Sequence, residues 1–286
     1  GEKNILDPSL AVYGEWRTAV AFNNNQFNEK ALVATRLDLE VDLKLTATER
    51  LHAQFLPFVQ ADRSTRYEFG GGDRKQGDFI IDGNLQTLFF EGDVGSIVSG
   101  ITDKYASYDL PIAGGFMPLL FQNGVWFDDE IIGGAISIPS LNSPALDITN
   151  MDITFFGGFD KVTTPAIKDA QGNLADHGVS LVGITTFIEA NQGYWEAGFG
   201  RIIGEGGFSN NSYNSATLAF SKRYGGWLSN STRVGWTFGQ QEGPGGRQQT
   251  ADGVILLSEN SLITSLPSTL VPYFNAWVGL DRPQPL

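Results

Sequence analysis

The chain has 286 residues, with 19 Lys and Arg against 32 Asp and Glu, a formal net charge of −13. That balance argues against a nucleic-acid partner, because no basic stripe is present to neutralise phosphates. Cysteine is absent and only His52 and His177 represent histidine, which removes disulfides, thiol nucleophiles, thiolate metal sites and any multi-histidine metal site.

Glycine is abundant at 35 residues and phenylalanine reaches 20, with polar Asn- and Ser-rich connectors between apolar stretches. Such a composition predicts an all-β chain. No run of 18 or more apolar residues occurs, so no transmembrane helix is expected. The opening residues GEKNILDPSL lack the basic region and apolar core of a signal peptide.

In chain order the first expected strand is Val12–Phe22, which sets Val12, Trp16, Val20 and Phe22 against Tyr13, Glu15, Arg17 and Ala21. The second, Leu32–Leu45, carries the clearest pattern in the sequence. Leu37, Leu39, Val41, Leu43 and Leu45 alternate with Asp38, Glu40, Asp42, Lys44 and Thr46. Period 2 over ten residues is a strand with one apolar and one wet face. An outer-membrane strand needs about 9–11 residues, apolar toward lipid and polar toward the lumen, and this segment fits both requirements. Arg50–Phe58, Asn84–Glu91, Leu110–Met117, Ile131–Ile138, Met151–Asp160 and Val179–Ala190 follow. Tyr194–Ile203, Tyr213–Tyr224, Ser229–Gln240, Gly253–Ser258 and Leu270–Leu280 complete the expected set. Residues 61–83 read as a long charged loop, and the stretch from Gly92 to Asn150 is the hardest to divide into strands.

In the second half, long connectors (Lys161–His177, Gly204–Ser212, Gln241–Asp252) alternate with short ones (Asn191–Gly193, Gly225–Leu228). Outer-membrane barrels sort loop length this way, whereas a soluble sandwich has no reason to. Within Tyr213–Tyr224, Ala216, Leu218 and Phe220 are expected outward and Thr217, Ser221 and Arg223 inward. Lys222 and Tyr224 fall at the outward end, where a snorkelling Lys and an interfacial Tyr belong. Within Ser229–Gln240, Val234, Trp236 and Phe238 are expected outward and Ser231, Arg233 and Thr237 inward.

The inward charges Glu15, Arg17, Arg36, Asp38, Glu40, Asp42, Lys44 and His52, joined by Arg223 and Arg233, are the candidate pore-lining residues. Opposed acidic and basic rows across a pore would set up a transverse field that selects solutes by charge and dipole. The alternative is a filled interior in which the same groups only pair with one another. Asp128, Asp129 and Glu130 are adjacent carboxylates that can hold Ca²⁺ or Mg²⁺, but they lack EF-hand spacing and are expected to be a solvated loop. Neither histidine sits in a serine-hydrolase motif, and GxSxG is absent, so no catalytic residues and no cofactor are expected. Gly70-Gly71-Gly72 and Gly114-Gly115 match no phosphate-loop pattern and read as turn or kink glycines.

Three segments resemble bacterial outer-membrane porins of the alginate-export and related carbohydrate or anion type. They are RLDLEVDLKLTATERLHAQF, DLPIAGGFMPLLFQNGVWFDD and SKRYGGWLSNSTRVGWTFGQQ. The resemblance implies an antiparallel transmembrane β-barrel of 16–18 strands in the Gram-negative outer membrane, of which 12 or 13 are identifiable here. It also implies a non-enzymatic channel for small polar solutes or oligosaccharides, with membrane lipid and a homo-oligomer or envelope protein as partners. Such porins close on a strand ending in an aromatic residue, while this chain ends DRPQPL. Pro283 and Pro285 cannot donate ladder hydrogen bonds, so residues 1–286 are expected to be a single barrel domain that continues past residue 286. Two rival readings are a barrel serving as scaffold or sheath for a partner protein, and a secreted β-rich carbohydrate binder stacking sugars on Trp16, Trp126, Trp195 and Trp227.

Overall fold

The computed structural model describes residues 6–24, 29–60, 63–69, 76–241 and 249–286. Sixteen strands occur among them: β1 (Ser9–Asn24), β2 (Glu29–Lys44), β3 (Arg50–Phe55), β4 (Val59–Gln60), β5 (Arg63–Glu68), β6 (Gln76–Asp78), β7 (Leu85–Asp93), β8 (Pro111–Phe121), β9 (Phe127–Ser143), β10 (Ile148–Asp160), β11 (Val179–Ala190), β12 (Gly193–Gly204), β13 (Tyr213–Tyr224), β14 (Leu228–Phe238), β15 (Asp252–Leu262) and β16 (Tyr273–Arg282). One helix, α1 (Val94–Thr102), lies between β7 and β8 in sequence. The class is all-β and antiparallel, as expected. All thirteen expected strands have counterparts, and two, β11 and β13, coincide with their expected limits. The Gly70-Gly71-Gly72 group lies outside the described residues, as do residues 1–5, 25–28, 61–62 and 242–248.

The chain divides into two compact units, Gly1–Gly92 with Ser96–Lys104, and Asp93–Gly95 with Tyr105–Leu286. In the N-terminal unit β1 and β2 form a sixteen-residue hairpin ladder from Ser9↔Lys44 to Asn24↔Glu29. Along the other edge of β2, β3 pairs with residues 39–44 and β5 with residues 32–35. They act as one strand that breaks after Phe55 and resumes at Arg63. β6 and β7 repeat the arrangement one step further, against β5 and β3 respectively. The charged stretch read as a loop therefore contains two short strands, β5 and β6, with β4 just before it, and apart from β4 the strands make thirteen continuous or interrupted staves.

The breaks have local causes. Pro57 has no N–H for a ladder, and its carbonyl instead accepts from the Asp82 N–H at 2.8 Å. Asp82-Gly83 is turn chemistry that releases the second strand.

The C-terminal unit is a run of sequential hairpins from β8 to β16. Its faces segregate along the hairpins, except near the β11–β12 turn, where Phe187 and Tyr194 stack on the inner face and are exposed. Val182, Phe199, Leu218, Val234, Trp236 and Leu256 are exposed on one face. On the other lie Leu181, Ile202, Tyr213 and Thr237, all buried. The expected outward and inward sets of β13 and β14 fall on these two faces. Lys222 ends its strand by donating to the Asn191 carbonyl at 3.0 Å.

Loop-length alternation holds from β10 to β15. The Ile263–Pro272 connector, ten residues long, then breaks the alternation. The buried core of this unit joins inward residues of β9–β13 to the long connectors. Trp126, Phe127, Phe156, Val162, Ile167, Val179, Ile202, Tyr213, Ala251 and Leu286 belong to it.

The region from Gly92 to Asn150 resisted sequence reading partly because of α1, VGSIVSGIT. Gly, Ser and β-branched residues are poor helix formers, so nothing local announced it. Its start is fixed from outside. Leu110 donates its N–H to Asp93 Oδ2 at 2.6 Å, and Val94 donates to the Leu110 carbonyl at 3.1 Å. A Cβ at Gly95 would lie 2.0 Å from the Tyr108 carbonyl oxygen, so the chain can pass there only as glycine.

Candidate functional site: a charged wall and a covered wall

Strand alternation places Glu15 and Arg17 of β1, the even-numbered residues Arg36 to Lys44 of β2, and Arg50 and His52 of β3 on one face of the N-terminal unit. Glu91 of β7, opposite Arg50, shares it. Eight of the ten candidate pore-lining residues are thus brought together. The ladder register sets Glu15 opposite Asp38 and Arg17 opposite Arg36. Like charges directly opposite each other repel, so ion pairs form along the strands instead. Arg17 pairs with Glu15, and Arg36 Nε reaches Asp38 Oδ1 at 2.7 Å. Charges of one sign are therefore grouped side by side across the two strands, and sign changes along the strand direction. Between β1 and β2, charge alternates along the strand direction rather than from strand to strand.

Further along the wall, Asp42 lies opposite His52. His52 Nδ1 is 4.0 Å from Asp42 Oδ2, and Arg50 Nη1 is 3.7 Å from the same oxygen. The His52 ring stacks on Phe89 with centroids 4.9 Å apart. Its Nε2 comes within 3.1 Å of Glu91 Oε1, yet the angles do not make a hydrogen bond. The carboxylates of Asp38 and Asp42 are mostly covered by these neighbours, whereas Glu15 and Arg17 are more than half exposed.

The inner face of the C-terminal unit is built differently. Its β12–β14 residues are mostly small: Gly198, Gly200, Ser215, Thr217, Gly235 and Thr237. A turn between β8 and β9 lies on them. Trp126 Nε1 donates to Ser215 Oγ at 3.1 Å, and Thr217 Oγ1 donates to Gln122 Oε1 at 3.0 Å. Trp126 fits only because residue 198 is glycine, since a Cβ there would sit 2.4 Å from its ring.

Residues 283–286 complete the cover. Thr237 Oγ1 donates to the Gln284 carbonyl and accepts its N–H, Tyr213 Oη donates to the Pro285 carbonyl, and Leu286 packs over Gly200. As expected, Arg282–Leu286 adds no strand after β16.

Arg233 faces inward but is 4% exposed. It pairs with Glu196 at 3.0 Å and donates from Nη1 to the Gln122 carbonyl at 3.0 Å. It is therefore a clamp under the cover. Arg223 stands exposed at the end of β13, opposite Ser229 beside the Gly225–Trp227 turn.

Asp128, Asp129 and Glu130 lie within β9, so the expected loop is a strand. Asp129 accepts from the N–H and hydroxyl of Thr163 at 2.7 and 3.1 Å, and its neighbours point to the other face. Among the described residues no group of three His, Cys, Asp or Glu is placed to hold a metal ion. His177 contacts Asp160 at 2.8 Å. In the connector after β10, the hydrogen bond from Lys161 holds Asp176 below the usual carboxylate range, against a smaller opposing effect of burial. Of the four tryptophans offered as sugar platforms, Trp126 is core. Trp195 leans on Phe220, and Trp16 and Trp227 are exposed.

The sequence reading missed Gln122, Glu196 and Ser215 as a set. Two signals could have found them. Gln122, Asn123 and Gly124 all take positive φ, in a Gln-Asn-Gly turn that can fold back sharply. Glycines inside a strand pattern, here Gly198 and Gly200, mark a close approach.

No protein-family model matches the sequence, and no curated protein matches it. Among solved structures, Salmonella typhi OmpF in complex with daunomycin is 12% identical, with a TM-score of 0.33, over 94% of this chain and 96% of that one. OmpT, an outer membrane protein of Vibrio cholerae in trimer form, is 10% identical, with a TM-score of 0.34, over 95% of this chain and 88% of that one.

Proposed function

We propose that this chain forms an outer-membrane, porin-like β-barrel that lets small polar solutes or oligosaccharides pass along a charged wall. The observation that carries the reading is face segregation. Large apolar side chains stand exposed on one face of hairpin after hairpin, while the opposite face is charged in the N-terminal unit and covered in the C-terminal one. A water-soluble protein seldom exposes contiguous apolar surface on this scale, whereas lipid requires it. Antiparallel ladders meet the other demand of a bilayer, that backbone polar groups be satisfied between strands.

Passage is by diffusion past fixed charges and uses no cofactor, metal or covalent chemistry. Membrane lipid and a polar solute are the partners, and a homo-oligomer is compatible with the exposed apolar faces. The resemblance to the alginate-export and carbohydrate or anion porins supplies the solute class.

The covered wall favours a second reading, a barrel that is partly filled and acts as a scaffold or sheath. Purified protein in planar bilayers separates the two. Discrete conductance steps support passage, and silence over many insertions supports the scaffold.

A further inference from the structure

We infer that the N-terminal unit holds one acyl chain of a membrane lipid in a groove on its apolar face, an inference that rests on the membrane reading above. The groove measures about 440 Å³ and is walled by Val33, Tyr67 and Phe79, with Gly77 in its lining. It lies where the two strand breaks throw aromatic residues outward. The Phe58 ring packs edge-on to Trp16 at 6.5 Å and against Phe79 at 6.4 Å. Trp16 and Phe79 are about 70% exposed, so the groove opens on the face assigned to lipid.

Its chemistry selects an apolar occupant. Arg66 and Asp78 also border the groove, but they pair with each other in the ladder and alternate to the opposite face from Tyr67 and Gly77. Of the hydroxyls in the lining, those of Thr35 and Thr65 are engaged by the protein, which leaves the Tyr67 phenol. Thr65 Oγ1 donates to the Ile80 carbonyl at 3.0 Å and accepts the Ile80 N–H at 2.9 Å. Thr35 Oγ1 donates to the Arg17 carbonyl at 3.2 Å and accepts from Trp16 Nε1 at 2.6 Å. A sugar would find aromatic faces but only the Tyr67 phenol for its several hydroxyls, and unpaired buried polar groups are costly. A hydrocarbon chain loses nothing there and gains contact along rigid rings. The glycine at 77 keeps the groove open. A Cβ there would meet Tyr67 at 3.4 Å, an ordinary contact, so larger side chains can be introduced without backbone strain.

The test uses the full chain reconstituted in palmitoyl-oleoyl phosphatidylethanolamine vesicles, re-extracted in detergent and examined by native mass spectrometry. One phospholipid adduct per chain is expected to survive detergent exchange. Gly77→Leu, and independently Val33→Phe from the opposite wall, are expected to lose the adduct while circular dichroism stays β-rich. An inserted wild-type protein without an adduct would overturn the inference, as would equal adducts on both folded variants. Insertion is read separately, by quenching of tryptophan fluorescence with brominated lipid. If quenching is absent, the membrane reading fails. Palmitate titrated into detergent-free protein then decides the groove, where binding lost in Gly77→Leu supports it and no binding overturns it.

Discussion

The two walls use the same strand alternation to opposite ends. In the N-terminal unit the polar face carries long charged side chains, paired along and between strands and still partly open to solvent. In the C-terminal unit the corresponding face has shrunk to Gly, Ser and Thr, and the room so made is filled by Trp126, Gln122 and Leu286. Solvent-exposed charge suits a passage, and small residues suit a lining that something else packs upon. The difference teaches that inward polarity alone does not define a pore wall. Side-chain size on that face decides whether water or protein occupies it.

The comparison predicts that changes in the covered wall act on stability and changes in the charged wall act on ion preference. The largest effect is expected from Trp126→Ala, which removes a ring that is 3% exposed and hydrogen-bonded to Ser215. A loss of about 3–5 kcal/mol in equilibrium unfolding is expected for a buried tryptophan. Next comes Arg233→Ala, which strands Glu196 and the Gln122 carbonyl. Breaking a buried pair costs about 3–5 kcal/mol, and the partial exposure of Glu196 places this one at about 3 kcal/mol. Ion preference should be unchanged in that variant. A shifted reversal potential would mean that Arg233 lies on the solute path.

Gly198→Ala should cost about 1–3 kcal/mol by forcing the Trp126 ring off its seat. In the other wall, Asp38→Asn and Asp42→Asn should each change stability by less than about 1 kcal/mol, because their partners Arg36 and Arg50 are 44% and 41% exposed and such pairs contribute little. The smallest effect concerns pH. Asp176 has a lowered pKa in the folded chain, so its contribution is present above the unfolded value of 3.8 and is lost as pH falls through the lower folded value. Limited proteolysis between Lys161 and Gly178 should therefore accelerate only in that acid window, with the strands still protected.

Much of this fold could be read from residue order. Period-2 segments such as Leu37–Thr46 and Ser229–Gln240 expose their two faces directly, because burial on a sheet follows alternation whatever the partner strand is. That Glu15 and Asp38 share one face, and that Arg233 faces the core of its unit, followed from the same rule. Register did not, because which residue faces which depends on hairpin closure. The side-by-side grouping of Arg17 with Arg36 was invisible for that reason. Cover was equally hidden. Arg233 and Asp38 look alike in sequence, and only the Gln-Asn-Gly turn arriving from β8 separates a clamp from a wall residue. The strands β4, β5 and β6 escaped notice because each is at most six residues long and is held by a break in a longer stave rather than by its own pattern.

The central claim is that the charged face of the N-terminal unit lines a conducting path. The wall holds five carboxylates (Glu15, Asp38, Glu40, Asp42, Glu91) against four cations (Arg17, Arg36, Lys44, Arg50). Reversal potential across a planar bilayer under a salt gradient, measured for the wild type and for the triple variant Asp38→Asn, Glu40→Gln, Asp42→Asn, tests that claim most directly. Discrete steps are expected from both, with a weak cation preference in the wild type moving toward anions in the variant. Absence of steps across many insertions, or one and the same reversal potential for the two proteins, would contradict the account.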